Sequence, residues 1–409
     1  MVSSYVTVIA YGIIEYMPNL ILVVNPGSAS RKYGLFADGV KRATVHFEFV
    51  DGAVVGAVDY NGEKKSAHCP DTDLSNVSRY VLPLLHQYGI MGESDNLSAV
   101  GIRVVAPSDS FTVDRLVTDE LVTELASLQP KAPLHITTAL SEIQNLRSFF
   151  VNIPIVAISD SEFHNTKPAW AQHYAIDTEL ATKFGIKRYG YHGVSIGSVV
   201  RRLVAANQLA PKMIICHIGS GSSITAVIDG KSVETTMGYS PLEGLMMSTR
   251  SGSIDIAAAL AIKRELQLDE NGLEQYLNKK SGLIGVSGTS DDVRQLLASE
   301  EAGDERAKLA LQLFVYRIQQ SIGQMAASIG GVDALVFTAT IGERSFIIRE
   351  RVLANLGYLG LQNDKAINDA AFEPKEITNI ATSTSKPILV VATDESAEIA
   401  QRASEFLQK

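Results

Sequence analysis

Short apolar stretches alternate with helix-spaced apolar positions from residue 21 to the end of the chain. Residues 21–24, 151–158, 213–216, 334–338 and 387–392 are apolar-rich and bounded by turn residues, which predicts short buried strands. Leu311, Phe314, Ile318, Ile322, Met325 and Ile329 recur at spacings of 3, 4, 4, 3 and 4. That is one apolar stripe along a core helix, ended by Gly330 and Gly331. Interleaved strands and helices predict an α/β protein.

The pattern also repeats. An apolar run leads into Gly27-Ser28-Ala29-Ser30, a second apolar segment follows, and Asp38-Gly39 ends it. Another run leads into Gly219-Ser220-Gly221-Ser222, then residues 224–228, then Asp229-Gly230. The Gly-to-Asp distance is 38 − 27 = 11 residues in one copy and 229 − 219 = 10 in the other. Each copy predicts a β-hairpin whose first turn exposes backbone N–H groups and hydroxyls, which can cradle phosphate oxygens. One copy alone would be an ordinary tight hairpin. Two copies half a chain apart predict a duplicated fold with a ligand cleft between the halves.

Composition narrows the class. At about 150 residues per domain, 409 residues predict two to three domains. With 46% hydrophobic and 20% charged residues, the chain is neither disordered, collagen-like nor a coiled coil. The net charge of −9 argues against non-specific nucleic-acid binding but leaves room for a local cationic pocket. Two cysteines, Cys69 and Cys216, make neither a disulfide scaffold nor a cysteine zinc site, and fit a cytoplasmic location. The chain has no run of eighteen apolar residues, so no membrane helix is predicted. Residues 1–20 lack a basic start, and Glu15 interrupts their apolar run, so they read as an N-terminal extension rather than a signal peptide.

Candidate chemistry sits after predicted strands, where open α/β sheets place their ligands. Asn25 and the Gly27–Ser30 turn are followed by Lys32, a set that suits phosphate or hydrated magnesium. Further clusters are Gly101–Arg103, residues 159–164 around Asp160, residues 190–193 with His192, residues 241–252 with Arg250, residues 338–343, and residues 393–395. Singly, each has a plainer reading: a surface ion pair for either arginine, a satisfied loop histidine, a helix N-cap for Asp394. Together they suit phosphoryl transfer, which needs cations around a moving phosphoryl group and carboxylates or amides for a metal.

These motifs resemble the acetokinase family, within the actin/sugar-kinase/Hsp70 superfamily. LVVNPGSASRK is similar to the family's Asn-x-Gly-Ser-x-Ser-x-Lys signature. HIGSGSSITAVIDGKSVETTMGYSPLEGLMMSTRSGSID is similar to its second signature, and RYGYHGVS, SGLIGVSGTSDD, FTATIGE and VVATDESAEIA match in order. The resemblance runs from about residue 21 to the C-terminus.

What it implies is an α/β fold of two ribonuclease-H-like (actin-like ATPase) halves around a cleft. Residues 21–165 with 394–409 would form the N-terminal lobe, and residues 166–393 a nucleotide-binding and dimerisation lobe. The implied reaction is ATP + acetate ⇌ ADP + acetyl phosphate by direct in-line transfer in a cytoplasmic homodimer, with no nucleic-acid or membrane partner. Arg103 and Arg250 would grip carboxylate and phosphoryl group, Asp160 would orient Arg103, and His192 would stabilise the equatorial oxygens. Asn25 and Glu395 would hold Mg²⁺ (or Mn²⁺). Ser28, Ser30 and Lys32 match positions beside the phosphates. His217, Gly219, Ser220, Gly221 and the turn Thr340, Ile341, Gly342, Glu343 match the ATP/ADP side. Val105, Leu134, Tyr191 and Pro241 match the apolar pocket for the acetate methyl.

The sequence departs from the family close to these positions. The histidines flanking the Arg103 motif are replaced by Ile102 and Ala106, and the closing histidine of HGTSH by Ile196. Ser220 stands for asparagine, Ala339 and Thr340 for two glycines, Arg344 for asparagine, and Tyr191 for a phenylalanine, adding a hydroxyl near the methyl site. Three outcomes stay open: an acetate kinase, a kinase for another short carboxylate such as propionate or butyrate, and a non-catalytic nucleotide-binding relative. Retention of Asn25, Arg103, Asp160, His192, Arg250 and Glu395 favours a kinase.

Overall fold

Two mixed sheets built on one plan form the frame of the computed structural model, which describes residues 19–27, 30–50, 52–70, 73–92, 95–129 and 133–409. The first sheet holds β1 (Leu20–Pro26), β2 (Ser30–Ala37), β3 (Val40–Val50), β4 (Ala53–Tyr60), β5 (Glu63–Ala67), β6 (Leu97–Val104), β7 (Arg115–Leu116) and β8 (Ile155–Ser159). The second holds β9 (Lys212–Ile218), β10 (Ser222–Ile228), β11 (Lys231–Thr235), β12 (Ala334–Thr338), β13 (Thr378–Asn379) and β14 (Ile388–Val390). Their orders are β5-β4-β3-β2-β1-β6-β8-β7 and β11-β10-β9-β12-β14-β13. In each, an antiparallel three-strand meander is followed by two parallel strands: β3-β2-β1-β6-β8 in one and β11-β10-β9-β12-β14 in the other. The predicted repeat is therefore a structural duplication, the ribonuclease-H-like arrangement of the actin-like ATPase fold. Both Asp-Gly turns are left-handed at both residues, with φ of 50° and 77° at Asp38 and Gly39, and 48° and 78° at Asp229 and Gly230. That backbone matches the twist of a two-residue hairpin.

Seven of the helices are α1 (Pro133–Phe149), α2 (Gly193–Ala205), α3 (Ile256–Glu265), α4 (Glu270–Lys279), α5 (Glu305–Ser328), α6 (Ala339–Arg344) and α7 (Glu395–Leu407). Alternation along the central strands decides which helix each face meets. Leu20, Leu22 and Val24 of β1 face α1, packing with Ile136, Leu140 and Ile143, whereas Ile21 and Val23 face α7, packing with Ile399 and Ala403. In β9, Ile214 and Cys216 face the stripe of α5, and Met213 and Ile215 face Ile196, Val199 and Leu203 of α2. So α7 and α2 lie between the sheets, where α2 also reaches the first sheet through Val194. Ile196, which replaces a family histidine, is fully buried in that apolar layer.

Several sequence expectations are corrected. The strand expected over 151–158 is only β8, because Asn152 is left-handed (φ 66°) and Pro154 has no N–H for a ladder. The strand expected over 387–392 narrows to β14, although Val391 N–H still donates to Phe337 O at 3.0 Å. The predicted turn over 340–343 is helical, as α6. Leu20 opens β1, so it is not part of an extension; residues 1–18 of that expected extension lie outside the described residues. Among the described residues, no helix is long and apolar enough to cross a membrane.

Candidate active site

Strand ends supply the centre of the site. Asn25 lies near the end of β1, Arg103 near the end of β6, and Asp160 immediately follows β8. These are adjacent parallel strands, so their C-terminal ends meet at one edge of the sheet. Arg103 Nε donates to Asn25 Oδ1 at 2.8 Å, and Nη1 lies 3.4 Å from Asp160 Oδ2. Asn25 Nδ2 in turn donates to Glu395 Oε2 at 2.8 Å. Glu395 is the first residue of α7, whose N-cap is Asp394, with its side chain accepting from Ala397 N–H at 2.9 Å. Burial lowers the Arg103 pKa, but the charges of Asp160 and then Glu395 outweigh it and hold the group above its ordinary value.

Asp160 has a second task. Its Oδ2 accepts from His192 N–H at 2.9 Å, at the entry to α2. His192 is a non-glycine residue in the left-handed region (φ 62°), a costly backbone that this hydrogen bond holds in place. A Cβ on the next residue, Gly193, would overlap the Asp160 carbonyl oxygen, so only glycine allows α2 to start this close. Further back, Arg402 of α7 pairs with Asp114, donates to Ser159 O at 3.0 Å, and so braces the strand end that carries Asp160.

The His192 ring stacks on His217 from the end of β9, with centroids 4.1 Å apart and planes 24° apart. Its Nδ1 is 3.0 Å from Ser223 Oγ, and His217 Nδ1 is 2.8 Å from Ser195 Oγ. Burial pushes both imidazoles below their ordinary pKa; His217 and then Arg250 and Arg103 push His192 further. Both rings are thus neutral at physiological pH. A Cβ at Gly221 would stand 3.1 Å from His192 Nε2 and 3.5 Å from Arg250 Nη1, so glycine there leaves the gap between imidazole and guanidinium open. Arg250 has no carboxylate partner among the described residues; its nearest polar contact is Met247 Sδ at 3.6 Å. Burial, then Arg103, lowers its pKa.

These groups line one cavity of about 390 Å³ that Arg103, Asp160, His192, Arg250, Ser220 and Gly221 share with Val105, Tyr191 and Pro241. The lining therefore combines two guanidiniums with apolar side chains, and Arg250 Nη1 lies 3.6 Å from Met247 Sδ of the apolar cluster. The Tyr191 hydroxyl donates to Tyr239 O at 2.7 Å, in a cluster with Val105 and Met247. Thr249, from the 241–252 cluster, also lines this cavity, and so do Thr138 and Ala139 of α1, Asn278 and Lys279, which sequence reading missed. A second cavity of about 580 Å³ shares Ser220 as a wall and is lined by Thr340, Ile341, Arg344, Asp291 and Arg294, among others. Asp291 belongs to the SGLIGVSGTSDD motif, and Arg294 lies two residues beyond its end.

The remaining expected residues are placed elsewhere. Glu343 is not among the residues lining either cavity; its Oε1 accepts from Thr393 N–H at 3.0 Å, and burial raises its pKa. Gly342 O accepts from buried Arg349 at 2.8 Å. Gly219 N–H closes the hairpin turn on Gly221 O, and Ser30 O accepts from Gly27 N–H, each at 3.0 Å. Lys32 sits on β2 opposite Asn25. Leu134 lies in the first turn of α1, and Ser28 lies outside the described residues.

Comparison with known proteins places the chain in a family. Residues 20–401 match the model of the acetokinase family. The chain is 38% identical over 398 residues to an acetate kinase of Bacteroides thetaiotaomicron, covering 95% of this chain and 100% of that one. It is 37% identical over 397 residues to an acetate kinase of Halothermothrix orenii, covering 95% and 99%. Among solved structures, an acetate kinase of Porphyromonas gingivalis superposes with a TM-score of 0.84 at 32% identity, over 95% of this chain and 100% of that one. A propionate kinase of Francisella tularensis does so with a TM-score of 0.86 at 32% identity, over 94% and 98%. The chain belongs to the acetokinase family and is a phosphotransferase of that family.

Proposed function

We propose that this protein is an acetate kinase, transferring a phosphoryl group reversibly between ATP and acetate by direct in-line displacement. The observation that carries the reading is one cavity lined by two guanidiniums and a buried imidazole together with Val105, Tyr191 and Pro241. Val105, Tyr191 and Pro241 cover the methyl. Arg103 and Arg250 neutralise the carboxylate and the charge spread over the transferring oxygens. With the tautomer in which Nδ1 accepts from Ser223 Oγ, His192 presents Nε2–H on the side of Gly221 and Arg250, where it donates to a phosphoryl oxygen. Ser220, common to both cavities, marks where the nucleotide phosphates pass toward the carboxylate.

The donor set fits a magnesium ion shared with substrate. Asn25 and Glu395 offer an amide and a carboxylate oxygen, and Mg²⁺ is commonly held by one or two protein oxygens plus water and phosphate. Among the described residues, no group of three or more His, Cys, Asp or Glu forms a metal cage of its own. When bound, the ion supplies charge neutralisation at the nucleotide phosphates.

The lobes divide at 21–165 with 394–409 and at 166–393, a reading supported by α7 lying on the first sheet. The protein works as a cytoplasmic homodimer. Support for pairing comes from α3, an Ala/Ile/Leu-rich helix with no buried residue, on which Ile256 is 78% exposed.

A second reading is a propionate kinase, favoured by the Francisella tularensis structure. An apolar pocket separates substrates that differ by one methylene by only about 10–200-fold. Turnover of acetate, propionate and butyrate compared under one set of conditions decides between them: an acetate preference supports the first reading, a propionate preference the second. No acyl phosphate from any of the three would overturn both.

A further inference from the structure

Arg31 is the second residue of β2 and only 8% exposed. Its Nη1 donates to the carbonyl oxygens of Gly27 and Ser30, the latter at 3.1 Å, and so clasps the β1–β2 turn from behind. Its Nε lies 3.3 Å from Oε2 of Glu142, in a charge contact without hydrogen-bond alignment. Glu142 is 1% exposed on α1, and its other oxygen accepts from Tyr33 Oη at 2.7 Å. Burial raises the Glu142 pKa; the Tyr33 hydrogen bond and the Arg31 charge oppose that rise.

Both ends of this contact lead to the active-site cavity. Pro26 and Gly27 line it from the turn, and Thr138 and Ala139 line it from α1. Thr138 and Ala139 precede Glu142 by four and three residues, the spacing that puts side chains on one helix face. A buried ion pair is weak evidence for stability, since two well-packed apolar residues often hold a strand to a helix as firmly. What apolar residues do not provide is the guanidinium that binds the turn's carbonyls.

We propose that Arg31 and Glu142 are a positioning pair that fixes Gly27 and Ser30, the described ends of the β1–β2 connection, against α1 and thereby sets the width of the active-site cavity. This rests on the phosphotransferase reading given above. Neither residue touches substrate; they act through Gly27 on one wall and Thr138 and Ala139 on the other.

The test uses the full chain with three variants: Arg31→Met, Glu142→Gln, and Arg31→Met with Glu142→Leu. The first readout is the ratio of kcat/KM for propionate over acetate, which general loss of stability leaves unchanged. The ratio is expected to shift at least fivefold in all three variants, including the double variant, whose apolar filling restores the wild-type Tm. The second readout is amide hydrogen exchange, which needs no activity. Peptides spanning 26–34 are expected to exchange at least tenfold faster in both single variants, with those spanning 213–228 unchanged. A ratio within twofold of wild type in all three variants, or unchanged exchange over 26–34, overturns the proposal. If the wild type turns over no carboxylate, the functional reading has failed on its own account, and the exchange comparison decides the clasp alone.

Discussion

Replacing Asp160 with asparagine removes a charge while keeping the shape of the site. Asp160 Oδ2 serves both Arg103 Nη1 at 3.4 Å and His192 N–H at 2.9 Å, so one amide oxygen can take over both contacts. What is lost is the Coulomb attraction to Arg103, along with the weak Val194 N–H contact to Oδ1 at 3.5 Å. At 3.4 Å and an effective dielectric of about 20, that attraction is about 5 kcal/mol before solvation is counted. Arg103 is about one-fifth exposed, and Glu395 also acts on it, so roughly half remains as the differential effect. About 2.5 kcal/mol corresponds to a drop in kcat/KM of about two orders of magnitude. The assay is acyl phosphate formation from ATP and acetate, with circular dichroism and Tm to show that the variant is folded. A folded Asp160→Asn protein within threefold of wild type would refute the claim that this carboxylate orients Arg103 for transfer.

Arg103→Ala and Arg250→Ala should each lose roughly three orders of magnitude in turnover, the scale of a cationic transition-state contact. Their melting points should differ: Arg103→Ala strands buried Asp160 and melts lower, whereas Arg250→Ala removes a cation with no carboxylate partner among the described residues and melts no lower. Burial and then the Lys167 charge hold the His164 pKa at about 3, against an ordinary 6.5. Between those values the unfolded chain binds a proton that the folded chain refuses. Stability is therefore complete above pH 6.5 and falls on acidification, by up to about 1.4 kcal/mol per pH unit for each such histidine. His192 and His217 add to it with the same sign. A urea midpoint unchanged from pH 7 to pH 5 would contradict this. Ala339 sits at φ 65°, a backbone that costs a non-glycine residue roughly 1 kcal/mol. Ala339→Gly should melt at or above wild type, unlike Ala326→Gly in the buried face of α5, and a lower Tm for Ala339→Gly would remove the strain argument.

The sequence carried the duplication because both hairpins depend on local chemistry. Asp38-Gly39 and Asp229-Gly230 are turn signals at nearly equal distances from a glycine-rich turn, and they fold as such. The α5 stripe was legible for the same reason: six apolar residues at helical spacing have only one way to be buried together. Legibility ended where tertiary approach decides the outcome. Thr138 and Ala139 look like ordinary helix positions, and only the packing of α1 on the first sheet brings them to the cavity. Lys279 and Asn278 reach it because Thr249 Oγ1 donates to Asn278 O at 2.8 Å, fixing the end of α4 to the segment that carries Arg250. The Tyr191 hydroxyl is bound by a backbone carbonyl 48 residues away, a partner the residue type could not show. Glu343 keeps its family position, yet its carboxylate is used to hold Thr393, two residues before Glu395.

The central claim is phosphoryl transfer to a short carboxylate in the Arg103–His192–Arg250 cavity. The most direct measurement is hydroxamate detection of acyl phosphate from purified protein with ATP, Mg²⁺ and acetate, alongside propionate and butyrate. The account predicts a clear acetate signal that requires the metal and disappears in Arg250→Ala. Silence with all three carboxylates in folded protein, or an equal signal from Arg250→Ala, would contradict it.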